Sequence, residues 1–371
     1  MKYKILVTGG AGFIGSFLVD KLIEQGHDLR ILDNFEPQVH SKGIPSYLNQ
    51  KAELIKGDIR DTSDIKKAIV DIDVIFHEAA MVGVGQSMYQ IEKYTDVNSF
   101  GTAKLLDVLA NFEHNIRKLV VASSMSTYGE GSYKCDKCGE SNPDLRTEKQ
   151  MAQCKWELIC PECGSILNPI PTKESKKQEL NSIYALTKKD QEDMFLIFGK
   201  NYGIPSVALR YFNVFGPRQS LSNPYTGVAA IFMSRIKNNN QPVIYEDGLQ
   251  TRDFISVKDI VQANILSMKD SSANYEVFNV GTGKQITIKS IGEILAKLYG
   301  KDIKPKITGQ FRKGDIRHCI ADISKIKSKL DFEPKISFED GMKELIEWSK
   351  NEQSEDKFEK ATLELKQKGL I

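Results

Sequence analysis

Tyr3 to Thr8 is a short β-branched and aliphatic run that passes straight into Thr-Gly-Gly-Ala-Gly-Phe-Ile-Gly (8–15) and then an amphipathic stretch from Phe13 to Glu24. A strand that turns on glycines into a helix restricts the fold severely, and here the pattern recurs. Residues 28–33 and 53–58 read as a second and a third strand, 64–70 as a helix, 73–80 as a fourth strand, 96–112 as a helix and 117–125 as a fifth strand. Strands alternating with helices imply an α/β fold, a doubly wound parallel sheet with helices on both faces. In such sheets ligands bind beyond the carboxyl ends of the strands.

Past residue 131 the pattern breaks. Residues 131–172 are polar, carry two Cys-x-x-Cys pairs and end in a proline-bearing segment, and they read as an insertion. Helical periodicity returns over 183–200, a strand follows at 206–214, and a further strand at 276–281 is expected to rejoin the same sheet. The expected division is a first domain over 1–215 containing the insert, a smaller domain over 216–350, and a charge-alternating tail over 351–371, read as a solvated helix or frayed end. At 371 residues and 40% hydrophobic composition the chain can fill a sizeable core. Its 51 Lys+Arg against 49 Asp+Glu leave a formal charge of +2, which excludes a global field drawing it to nucleic acid or an acidic membrane. No run approaches the roughly 18 apolar residues of a membrane span. The first apolar stretch runs into glycines instead of a cleavable signal, so the expected location is the cytoplasm.

Gly9, Gly12 and Gly15, with Phe13 and Ile14 between them, sit where strand meets helix. Glycines there allow a tight turn and close approach of backbone to a pyrophosphate, whose charge the helix N-terminus favours. Alone the triplet is weak evidence. Asp33, followed by Asn34, closes the second strand about 20 residues on, where a carboxylate can accept both ribose hydroxyls of NAD and would repel the 2′-phosphate of NADP. The Rossmann reading therefore carries a cofactor, NAD. Asp58 and Ile59, after the third strand, are placed to meet the adenine, with an ordinary strand-end turn as the alternative.

Tyr184 and Lys188 are four residues apart on a predicted helix and share a face. An ammonium near a phenol favours the phenolate, which a tyrosine needs to act as a general base. Ser124, on the polar end of the fifth strand, can share a proton with that tyrosine and a substrate hydroxyl.

Together, TGGAGFIG (8–15), ASSMSTYG (122–129), YALTK (184–188), RYFNVFGPRQ (210–219), TRDFISVKDI (251–260), FNVGTG (278–283) and GDIRHCIADISK (314–325) resemble, in order, the extended short-chain dehydrogenase family of nucleotide-sugar epimerases and dehydratases. The resemblance covers almost the whole chain outside 131–172 and the tail. It implies a catalytic trio of Ser124, Tyr184 and Lys188, with Tyr184 and Lys188 also meeting the cofactor and Ala79-Ala80 lying along the nicotinamide ribose. It further implies a nucleotide-sugar substrate bound by Ser126, Asn213, Arg252 and Arg312, the arginines bridging its diphosphate through charge-assisted hydrogen bonds.

Departures from the family pattern narrow the reaction. The 4,6-dehydratases carry an Asp-Glu pair where this chain has Met125 and Ser126, and a thioether cannot protonate a leaving hydroxyl. Epimerisation at C4 through a 4-keto intermediate is therefore preferred. Val82 stands where UDP-galactose 4-epimerases tend to have lysine. Residues 33–40 and 82–89, with the cysteine insert, look most like the group acting on dTDP-L-rhamnose to give dTDP-6-deoxy-L-talose. A UDP-sugar 4-epimerase acting on UDP-glucose or UDP-N-acetylglucosamine is the alternative, and a non-catalytic NAD-sensing interaction protein is a reading of a different class, against which the intact Ser, Tyr and Lys set argues.

Cys135, Cys138, Cys160 and Cys163 form two knuckles, each followed by glycine, at the spacing of a four-cysteine zinc site. Four thiolates leave no open position for water, so the expected zinc is structural. Cys154 and Cys319 have no partner pattern. Finally, the resemblance and the helix pattern suggest a homodimer through helices near 96–112 and 183–200, the second offering Met194, Phe195, Ile197 and Phe198 for burial, with packing against the sheet of the same chain as the alternative for those residues.

Overall fold

The computed structural model describes residues 2–225, 227–352 and 355–371. Its centre is a seven-stranded sheet of β1 (Lys4–Thr8), β2 (Asp28–Asp33), β3 (Glu53–Lys56), β4 (Val74–His77), β5 (Lys118–Ser124), β6 (Ser206–Tyr211) and β7 (Val277–Val280). The strands lie in the order β7-β6-β5-β4-β1-β2-β3, and every neighbouring pair is parallel. The order reverses between β1 and β4, the switch point at which such sheets open a crevice for ligands. Register brings the carboxyl ends level: Thr8 pairs with His77, His77 with Val121, and Ser124 with Tyr211.

Both faces of the sheet are covered, which explains why β5 and β6 are buried at every position. One core joins Ile5, Val7, Val120 and Leu209 to the helices Phe13–Glu24 and Val257–Lys269. The other joins Leu6, Ile75, Val121 and Ala208 to the helices Gly101–Asn111 and Ile183–Tyr202. Of the residues the second helix offers for burial, Phe195 and Phe198 take the intramolecular alternative and belong to this second core at 0% and 7% exposure, because their side of the helix faces the sheet. Ile197 points away from it and is 61% exposed. A third core around Phe215, Phe232, Met233, Ile291, Leu295 and Met342 builds the smaller region with helices Val228–Lys237, Ile288–Leu298 and Phe338–Ser349.

The cysteine-bearing segment folds as a three-stranded antiparallel sheet, Ser132–Cys135 pairing with both Gly139–Ser141 and Asn168–Ile170. Tyr133, Cys135, Leu158, Cys160 and Leu167 are its small core.

The tail forms the helix its sequence allows, but one face of it is buried and not solvated. Phe358–Gln367 is a helix, with Ala361 and Leu365 buried at 6% and 7% exposure. Charge alternation masks an apolar stripe at 358, 361 and 365, the spacing of one helical face. No helix among the described residues is long and apolar enough to cross a membrane.

Candidate functional site

A single cleft of about 620 Å³ runs along the carboxyl ends of the strands and under the smaller region. The glycine turn opens it. Gly9 has φ +69°, and a side chain there would begin 2.8 Å from the Ala79 backbone, so only glycine lets β1 pass this close to the end of β4. Gly9, Gly12, Phe13, Ile14, Gly15, Asp33, Asn34, Ile59, Ala79, Ala80, Tyr184 and Lys188 all line the cleft. The Asp33 carboxylate is oriented by backbone, accepting from the Ala11 N–H at 3.0 Å and the Phe35 N–H at 2.9 Å.

Asp58 stands apart. It does not line the cleft, although its neighbours Gly57 and Ile59 do. Its carboxylate accepts from Arg60 at 2.8 to 2.9 Å and from the Asn34 amide at 2.9 Å, and the Arg60 bonds hold it down at about 2.

Ser124 ends β5, and its hydroxyl oxygen accepts from the Ser126 N–H at 3.1 Å and the Ser126 hydroxyl at 2.9 Å. Tyr184 sits in the first turn of Ile183–Tyr202, whose N-cap Ser182 accepts from the Ala185 N–H at 3.1 Å. One turn on, the Lys188 ammonium donates to the Ala122 carbonyl and the Gln191 side chain, both at 2.8 Å. The electrostatics differ from the sequence expectation. Burial pushes the Tyr184 phenol up to about 12, with the Ser124 hydroxyl opposing, and pushes Lys188 down to about 8, with Glu78 opposing. Lys188 is committed to Ala122 and Gln191, so on its own it does not bring the phenol into the working range. Glu78, which the sequence reading passed over, also lines the cleft. Burial raises it to about 7, although it accepts from the Tyr211 hydroxyl at 2.8 Å.

At the far end are Asn213, Arg252 and Arg312. The Asn213 side-chain oxygen is buried without a partner among the described residues, a position that a ligand donor would satisfy. Arg252 donates to the carbonyls of Thr251 (2.8 Å), Ile316 (2.8 Å) and Arg317 (3.0 Å). Arg312 bonds Asp315 at 2.8 Å and stacks on Tyr245. Gln219 and Gln250, not singled out from the sequence, line the same end, each with a buried amide oxygen lacking a partner among the described residues. The Arg-Gln that follows the Asn213 segment was the available signal for Gln219.

In the insert the sulfurs of Cys135, Cys138, Cys160 and Cys163 all lie within 4.8 Å of one another, with Cys135 and Cys163 3.5 Å apart. Gly139 and Gly164, after the two knuckles, adopt φ of +90° and +72°.

An α/β sheet with a glycine turn, an adjacent Asp, and a Ser, Tyr and Lys group at its carboxyl edge defines a short-chain dehydrogenase. The comparisons narrow this. The model of the NAD dependent epimerase/dehydratase family matches residues 5–155, and that of GDP-mannose 4,6 dehydratase matches 164–345. The chain is 32% identical to the dTDP-L-rhamnose 4-epimerase of Burkholderia thailandensis over 93% of this chain and 94% of that one. Two solved structures are similar over 94% of this chain and 98% of theirs. The UDP-N-acetylglucosamine 4-epimerase of Methanobrevibacter ruminantium, in complex with UDP-N-acetylmuramic acid, is 37% identical with a TM-score of 0.76. The UDP-glucose 4-epimerase of Thermotoga maritima, with UDP-glucose, is 31% identical with a TM-score of 0.77. The chain belongs to the extended short-chain dehydrogenase family of NAD-dependent sugar-nucleotide epimerases and dehydratases, on the side of the 4-epimerases.

Proposed function

We propose that this enzyme inverts C4 of a nucleotide-activated sugar through a 4-keto intermediate and consumes no cofactor. The observation that carries the reading is one continuous cleft with the glycine turn and Asp33 at one end, Tyr184 and Ser124 in the middle, and Asn213, Arg252 and Arg312 at the other. Bound NAD would supply a hydride acceptor restored within each turnover, and its nicotinamide charge would favour the phenolate. Gly9, Gly12, Gly15 and Asp33 would hold it. Tyr184 takes the proton from the C4 hydroxyl and later returns it, Ser124 positions that hydroxyl, and Lys188 fixes the tyrosine's surroundings. Arg252 and Arg312 clamp the diphosphate while the keto sugar turns its other face.

The walls near the sugar support a 6-deoxy substrate. Met81, Val82, Val84, Met125 and Leu365 line that part, and a C6 methyl suits them better than a hydroxyl would. The proposed reaction is dTDP-L-rhamnose to dTDP-6-deoxy-L-talose. A UDP-sugar, UDP-N-acetylglucosamine or UDP-glucose, is the second reading, favoured by the 37% identity to the Methanobrevibacter enzyme. Product NMR after incubation with dTDP-L-rhamnose, UDP-N-acetylglucosamine and UDP-glucose decides between them. Turnover of the UDP-sugars alone would reject the rhamnose reading.

The four thiols would hold one structural zinc. A tetrahedral ion with metal–sulfur bonds of about 2.3 Å needs sulfurs about 3.8 Å apart, close to their present spacing. Four sulfur ligands leave no position for water, so the metal would take no part in the chemistry.

A further inference from the structure

The insert is far from Tyr184 in sequence role, yet its side chains reach the wall that carries the two arginines. Arg146, 1% exposed at its side chain, donates from Nη1 and Nη2 to the Glu246 carboxylate at 2.8 and 2.9 Å. Nη2 also donates to the Asp315 carbonyl at 3.0 Å, and Nη1 to the insert's own Trp156 carbonyl at 3.2 Å. A single guanidinium thus ties the insert to both segments that hold Arg312. Glu246 follows Tyr245, on which Arg312 stacks, and Asp315 is the residue that Arg312 bonds.

Glu157 makes the second tie. It accepts from Nε and Nη2 of Arg317, whose side chain is fully buried and whose remaining donor bonds Glu246 at 2.9 Å and Asp247 at 2.7 Å. Its other oxygen meets the His318 ring at 3.3 Å. At the base of the insert, Glu130 accepts from the Arg317 N–H at 2.6 Å and the His318 N–H at 3.3 Å. The backbone held this way, residues 315–318, supplies two of the three carbonyls that orient Arg252.

We infer that the four-cysteine insert is the support of the diphosphate clamp, with Arg146 and Glu157 as positioning residues for Arg252 and Arg312. This rests on the nucleotide-sugar reading of the cleft. Buried ionic networks hold one geometry because any other leaves a charge unpaired, so they suit a wall that must stay fixed while the sugar turns. Among the described residues no hydrogen bond or ion pair joins the insert to the glycine turn, Asp33 or Tyr184, and its effect should therefore fall on nucleotide binding and spare the cofactor.

The test uses the whole 371-residue chain and three variants, Arg146→Met, Arg146→Lys and Glu157→Gln. Titration calorimetry with UDP and dTDP, steady-state KM and kcat, and bound NAD per chain are measured for each. Arg146→Met and Glu157→Gln should raise the nucleotide Kd and the KM on the order of tenfold, with kcat nearly unchanged and NAD content equal to that of the parent. Arg146→Lys, which keeps the charge and loses the fork, should recover part of the loss. If Arg146→Met does not fold, the two milder variants carry the test. Variants that fold less well but bind UDP or dTDP with parental Kd and KM would overturn the inference. Parent enzyme that binds neither nucleotide would overturn the reading of the cleft itself, and the inference with it.

Discussion

Tyr184, the proposed base, lies buried, and burial raises its phenol to about 12, so the free enzyme holds it protonated. Tyr184→Phe keeps the ring packed against Tyr94 and removes only the hydroxyl. Turnover should fall by about 10² to 10⁴-fold, with UDP and dTDP affinity unchanged. Near-normal turnover would remove Tyr184 from the chemistry. Asp33→Ala should lower the NAD retained by the purified enzyme, since each charge-assisted ribose bond contributes on the order of 1.5–3 kcal/mol. Release of nicotinamide on denaturation measures it.

His77 gives a pH signature of the fold. Burial, with the Lys188 charge second, pushes its imidazole from 6.5 down to about 3. Above pH 6.5 the ring is neutral folded or unfolded and contributes no pH dependence. As pH falls below 6.5 the unfolded chain takes up a proton that the folded one refuses, so stability is lost progressively down to about 3. The ring bonds Thr8 at 2.8 Å and Thr102 at 3.0 Å. His77→Gln should therefore cost about 1 kcal/mol per lost bond at neutral pH and flatten the stability profile across this window. Denaturant melts at several pH values follow both effects, and an unaltered slope would refute the buried neutral imidazole.

At the scale of elements, what could be read from the sequence was what is local in it. The glycine turn, the Asp33 strand end, the Tyr184–Lys188 face and the two cysteine knuckles each lie within a few residues, and each converges as its spacing implies. The Asp58–Arg60 pair was not legible, because Arg60 is one of many nearby charges and nothing in the spacing shows that the carboxylate turns to it. The Arg146–Glu246 pair, 100 residues apart, and Arg317–Glu157, 160 apart, exist only once the chain is folded. The terminal helix was legible in principle through its apolar stripe, but its docking site was not. Glu364 accepts from the Tyr225 hydroxyl at 2.6 Å and the Tyr89 hydroxyl at 3.1 Å, and Leu365 packs over Gly85. Leu365→Ala should loosen this helix by about 2 kcal/mol, the low end for a buried leucine. Faster amide exchange over 358–367, together with a raised KM and parental NAD content, is the expected result. Exchange unchanged there would show that Leu365 does not anchor it.

For the insert, elemental analysis of enzyme prepared without chelator should give one zinc per chain. Serine at Cys135 or Cys160 should abolish it, while metal-free protein from the parent would refute the site.

At the scale of the whole molecule, the proposed dimer cannot use Phe195 and Phe198, which the sheet already covers. Phe100, Leu186, Ile197 and Tyr202 remain exposed at 49%, 42%, 61% and 56% on or beside the same two helices. A mass of two chains by light scattering is expected, and Ile197→Lys should shift it toward one. A parent mass of one chain would exclude this interface.

The central claim is that the hydrogen leaving C4 returns to C4 of the same sugar, because the cofactor stays bound and Tyr184 handles only the hydroxyl proton. The direct measurement is epimerisation of a nucleotide sugar carrying deuterium at C4, followed by NMR or mass spectrometry of the product. Deuterium retained at C4 of the inverted sugar, with none appearing in solvent, is the expected result. Loss of the label to water would mean a proton is drawn from carbon, and the hydride mechanism built on this cleft would be wrong.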